Sequence, residues 1–113
     1  MDGKTLMQKV NEYEGLLNDA VPEYKKRGLN KAQTEKEYRI ALAKEFLRLR
    51  AEGEKVTIMG DLARGKEEIA ELKFQRDIAE TLYDSAKEAI MIYKKQIDTL
   101  MTIYKAEWGQ ARQ

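Results

Sequence analysis

The fold turns on one stretch, residues 65–109, GKEEIAELKFQRDIAETLYDSAKEAIMIYKKQIDTLMTIYKAEWG. Stepping by three and four from Ile69 reaches Leu72, Arg76, Ala79, Tyr83, Ala86, Ile90, Tyr93, Ile97, Leu100 and Tyr104. This is a heptad a/d ladder with one charged break, at Arg76, and it is the seam of a coiled-coil-like helix. A second apolar row, Phe74, Ile78, Leu82, Ala89, Ile92 and Ile103, runs beside it. A buried face that wide suits a bundle, in which one helix meets two neighbours. The stretch has no proline, and its glycines stand only at its ends. About 40 helical residues rise about 60 Å, more than one short partner covers. Either shorter helices of the same chain lie along the ladder, or another chain does.

Outward from the ladder, composition sets the class. The 113 residues allow one domain; charged residues are 36% of them and the net charge is +1. A single proline and a Glu/Lys/Leu/Ala-rich composition point to an all-α protein. No cysteine is present, which excludes disulfides and thiolate metal sites and fits a reducing compartment. The N-terminal MDGKTLMQKVNEYEG lacks the apolar core of a signal peptide. No run approaches the ~20 apolar residues of a membrane span, so the expected compartment is the cytoplasm.

Before the ladder, the spacing predicts a first helix over 4–20, with Leu6, Val10, Tyr13 and Leu17 on one stripe and Leu16 beside it. Asn18, Asp19 and Val21-Pro22 mark its end, because a residue before proline is pushed out of the α region. Gly28 breaks the chain again. Asn30 with Gln33 has the form of a capping box and opens a second helix over 30–52, stopped by Gly53. Its stripe is Tyr38, Leu42, Phe46 and Leu49, with Ile40, Ala43 and Leu47 alongside. Glu35 and Arg39 are spaced for an i, i+4 pair. A short helix over 57–64, capped by Thr57, tucks Val56, Ile58, Met59 and Leu62 into the end of the bundle; the alternative is an extended segment at 55–58. The long helix covers 66–108. Glu67, Glu68 and Glu71 complement the dipole at its start, and Lys105 and Arg112 lie toward its end.

Candidate chemistry is sparse. Without histidine there is no imidazole base, no Ser-His or Cys-His nucleophile and no Glu-x-x-His di-iron site. Neither a phosphate loop nor a dinucleotide fingerprint occurs. One carboxylate motif remains. Glu67-Glu68-x-x-Glu71 has the E-E-x-x-E form of all-α nucleotide pyrophosphohydrolases, in which such residues share Mg²⁺. The second acidic group there comes from another helix, whereas Glu80, Asp84 and Glu88 lie on the same helix here. Dipole complementation and a solvated face account for these acids more simply. The expectation is therefore a non-enzyme with no cofactor and no metal.

Basic residues form a loose stripe of Lys36, Arg39, Lys44, Arg48 and Arg50, with Lys25-Lys26-Arg27 upstream. Such a stripe can follow a phosphate backbone. Glu35, Glu37, Glu45 and Glu52 on the same helix favour an ordinary soluble surface instead. Arg76 in the seam points to specificity of helix pairing. Trp108, one turn after Tyr104, makes an exposed aromatic pair that serves as an interface anchor or as the cap of the bundle.

The run LRAEGEKVTIMGDLARGKEEIAELKFQRDIAETLYDSAKEAI, continued by a helix ending in EW, resembles small helical proteins of phages and prophages of Gram-positive bacteria. The likeness covers Leu47 to Trp108. It is carried by Gly53, Lys55, Val56, Asp61, Ala63, Gly65, Phe74, Arg76, Ala79, Ala86 and Trp108. It implies a phage accessory protein beside recombination or replication functions, and it brings no catalytic residues. The expected protein is an all-α bundle in which two shorter helices and a connector pack on one long helix. It self-associates, with a dimer favoured, and binds an unidentified protein partner; nucleic acid is the alternative partner, and no membrane is involved.

Overall fold

The computed structural model describes residues 2–109. The chain is all-α, as the composition and the ladder require: helix α1, Gly3–Ala51; helix α2, Val56–Gly65; helix α3, Glu67–Tyr104; and a final π-helical turn, Lys105–Gly109. No strand occurs among the described residues. Arg112 lies outside them.

The two helices expected before Gly53 are one. α1 runs for 49 residues through Pro22 and Gly28. Proline removes the bond to the carbonyl four residues earlier, here that of Asn18. Both Asn18 and Pro22 are exposed, so water can satisfy the freed carbonyl. Gly28 is a point of close approach and not a break. A Cβ built there would sit 3.3 Å from Cε2 of Tyr83. Asn30 is accordingly no cap: it lies inside the helix, and its carbonyl accepts a bond from the Thr34 hydroxyl at 2.9 Å. The cap of α1 is Asp2, whose Oδ1 accepts the Thr5 backbone N–H at 2.7 Å, and that bond lowers its pKa.

The end of α1 follows the sequence. Gly53 has φ +80, the conformation glycine adopts without a Cβ penalty. Its N–H donates to the Arg50 carbonyl and that of Glu54 to the Leu49 carbonyl, a Schellman pair. The short helix begins at Val56, with Lys55 in the cap position and no side-chain cap. Thr57 is therefore within α2, and the extended alternative is not adopted.

The fold comprises two compact units, Met1–Lys26 with Asp84–Gln113 and Arg27–Tyr83. In the first, the start of α1 packs on the end of α3. Leu6, Val10 and Leu100 are buried, with Tyr13, Ile97, Met101 and Tyr104 against them. The Tyr13 and Tyr93 rings lie 6.3 Å apart, within the range of favourable tilted pairs. In the second, Leu49, Met59 and Ala63 form the core, with Leu42 and Phe46 packed on it. Tyr38, Ile69 and Ala79 are also buried there. Of the connector residues expected to tuck in, only Met59 does so; Val56, Ile58 and Leu62 are exposed.

Candidate binding surfaces

The ladder on α3 faces inward along its whole length. Ile69, Ala79, Ile90 and Leu100 are buried, and Leu72, Arg76, Tyr83, Ala86, Tyr93, Ile97 and Tyr104 are half-buried. The flanking row is different. Phe74, Ile78, Leu82, Ile92 and Ile103 are exposed, and only Ala89 is half-buried. The contacted face is narrower than the sequence pattern implies, because residues three and four apart already fill the contact with α1.

Arg76, the charged break in the ladder, is held between the helices of the second unit. Its guanidinium lies 4.6 Å from the centre of the Tyr38 ring, a cation–π distance. It is 3.5 Å from a Glu35 oxygen on α1 and 3.0 Å from Asp77. The hydrogen bond to Asp77 comes first among the causes that raise the Arg76 pKa, and Arg76 and then Lys73 lower that of Asp77. A charge in the seam is thus matched by an acid and an aromatic face across the helix pair. Nearby, the Lys31 ammonium sits 4.5 Å above the Tyr83 ring.

Glu45 was not singled out by the sequence, where it reads as one acid in a mixed-charge helix. It is the buried charged residue of the described chain, at 5% exposure. Both carboxylate oxygens are used. Oε1 accepts from Arg48 Nε at 3.0 Å, and Oε2 accepts from Lys66 Nζ at 3.0 Å. The Arg48 bond, followed by the Lys66 bond, holds its pKa down at about 2 despite burial. A signal for this role was present. Glu45 falls seven residues after Tyr38 and four before Leu49, on the apolar stripe.

Acids of the same helix interrupt the basic stripe. Arg39 is paired with Glu35 at 2.5 Å, and Arg48 bridges Glu45 and Glu52. Lys36, Lys44 and Arg50 are exposed. Arg50 borders an apolar groove lined by Ala43, Phe46, Leu47, Val56 and Met59. In that groove Leu47 is 66% and Val56 is 78% exposed. Ile40 and Ala43, on the same side of α1, are exposed as well. Sequence periodicity placed Ile40, Ala43 and Leu47 beside the core stripe. About 100° of rotation per residue carries them round to the outer side.

Trp108 is not one of an exposed pair. Tyr104 is half-buried against the first core. The Trp108 ring closes over the start of α1, where a Cβ on Gly3 would come within 3.0 Å of it, while 42% of the residue stays exposed. It lies in the π-turn, an uncommon helix form.

The acids at the start of α3 do not converge. Glu68 is 4.0 Å from Lys66 and otherwise solvated, and Glu71 accepts a bond from Gln75. Among the described residues no group of three carboxylates is placed to hold a metal ion. No described helix is long and apolar enough to cross a membrane. Comparison with protein families, with curated proteins and with solved structures gave no significant match to this chain.

Proposed function

We propose that this chain is a non-enzymatic, phage-type accessory or adaptor protein that acts in the cytoplasm through helix-mediated self-association and macromolecular binding. The observation that carries this reading is the outer side of the second unit. Ile40, Ala43, Leu47 and Val56 are exposed beside a groove floored by Phe46 and Met59. Single exposed apolar residues are ordinary, but a contiguous patch rimmed by charge marks an interaction surface. The phage-type part rests on the residues that carry the resemblance, from Gly53 to Trp108. Nucleic-acid binding ranks second, because Arg39 and Arg48 are already paired with acids of the same helix.

Photo-crosslinking in cells that carry the gene tests the reading. A benzophenone side chain at position 47 gives discrete adducts with other macromolecules or with further copies of the chain. The same probe at exposed Glu14 does not. Absence of adducts from position 47 overturns the reading.

A further inference from the structure

The second unit carries two outer apolar rows with opposite charge beside them. On α1 the row is Ile40, Ala43 and Leu47, flanked by the exposed Lys36, Lys44 and Arg50. On α3 it is Phe74, Ile78 and Leu82, which with Asp77 and Thr81 line a shallow groove, and exposed Glu67 and Glu71 stand at its start. Phe74 is 57% exposed. Leu47 lies two residues, about 200°, from the buried Glu45, and Phe74 lies the same rotation from the inward-facing Arg76. Each row therefore points away from the contact between the two helices, and one copy cannot bring them together. A second copy can.

We infer that the second unit stacks head to tail: the basic-flanked row of α1 in one copy docks on the acid-flanked row of α3 in the next. This rests on the reading that the outer side of the unit is a binding surface, and it names the occupant. Charge complementarity chooses that occupant: when the rows meet running in the same direction, Lys36, one turn before Ile40, opposes Glu71, three residues before Phe74. Neutral amides hold but do not cancel the acids beside the rows, Gln33 on Glu37 and Gln75 on Glu71, and Lys73 is bridged to Asp77 at 3.1 Å, so the α1 row stays net basic and the α3 row net acidic. Because the two surfaces differ, the contact is heterologous, and it builds open stacks or rings rather than a closed two-fold dimer. Two rows of a few turns make a contact at the small end of interfaces, below about 1,200 Å² in total. Association is accordingly weak and concentration-dependent.

Sedimentation of the full chain across a concentration series, at low and high salt, tests this. The weight-average mass rises past two copies with concentration, and added salt weakens the rise. Glu71→Lys and Lys36→Glu each weaken association about tenfold, through like charges placed opposite one another. An equimolar mixture of these two variants recovers it, and so does the chain carrying both changes. Circular dichroism melts of the variants stay within a few degrees of the parent, because both side chains are exposed and only the Gln75 bond to Glu71 and its dipole contribution are lost. A mass of one copy throughout, or association that survives both reversals and Leu47→Asp, overturns the stacking. If the chain stays single while position 47 crosslinks to other macromolecules, the stacking fails and the wider binding reading stands. If it stays single and position 47 gives no adducts, both fail.

Discussion

The Lys66 ammonium lies 3.0 Å from Oε2 of Glu45 and so ties the C-terminal part of α1 to the junction between α2 and α3. Arg48 completes the grip on the same carboxylate from within α1. A buried acid with both oxygens satisfied fixes how the elements of the second unit meet, while one left without its partners is strongly destabilising. The pH dependence follows from the depressed pKa. The native carboxyl titrates at about 2, below its ordinary value of 4.5. Its contribution is complete above about pH 4.5 and is lost as pH falls toward 2. Glu45→Gln therefore lowers the melting temperature by several degrees at pH 7, and the gap to the parent narrows between pH 4.5 and 2. Thermal melts of both chains across that range check it. A gap independent of pH would mean that the charge of Glu45 is not what holds the junction.

The residues that could be read from sequence and those that could not differ in a physical way. The ladder from Ile69 to Tyr104 was legible because a heptad repeat has one inward face, and every ladder residue is buried or half-buried. Gly53 was legible because only its positive φ ends the helix there. Pro22 and Gly28 misled, since local helix-breaking tendencies of a few kcal/mol yield to tertiary packing. Glu45 was illegible as a core residue because glutamate normally stays in water, and only the positions of Lys66 and Arg48 make its burial tolerable. The outer rows were seen as apolar but assigned inward, because periodicity gives the spacing of a row and not whether a neighbour covers it.

Pro22 gives a direct test of the continuous α1. Interior proline destabilises a helix by about 3 kcal/mol relative to alanine. Asn18 and Pro22 are exposed, so Pro22→Ala restores one backbone bond without disturbing a core. The variant should be more stable by about 1–3 kcal/mol in chemical denaturation, with greater protection of the amides from residue 18 to residue 26. A chain that broke at Pro22 would show no gain in either measurement.

The two cores make contrasting predictions from size. Leu6 is fully buried between the ends of α1 and α3, and Leu6→Ala should destabilise by about 2–5 kcal/mol. Ala63 is also fully buried, but it is small where α2, with Met59 beside it, meets Leu49 of α1. Ala63→Leu overfills that site and should destabilise by about 1–3 kcal/mol. Leu47→Ala, on the outer row, should change stability by less than about 0.5 kcal/mol. Urea denaturation of the three variants checks the order. A large loss from Leu47→Ala would place that side chain in a core.

Gly28 and Gly15 separate helix propensity from close approach. Both lie inside α1, where alanine is favoured over glycine by about 1 kcal/mol. A Cβ at Gly15 meets nothing within 4 Å, so Gly15→Ala should realise that gain in full. At Gly28 the same Cβ would stand 3.3 Å from the Tyr83 ring, whose face also receives the Lys31 ammonium. A shift of a few tenths of an ångström in that ring offsets the propensity gain, and Gly28→Ala should be close to neutral. Gly28→Val adds branches that the ring cannot clear, and it should destabilise by about 1–3 kcal/mol. Replacing Tyr83 with alanine then decides the cause: in that background Gly28→Ala should become as favourable as Gly15→Ala. A Gly28→Ala change whose effect is the same with and without the ring would show that Tyr83 does not set the need for glycine there.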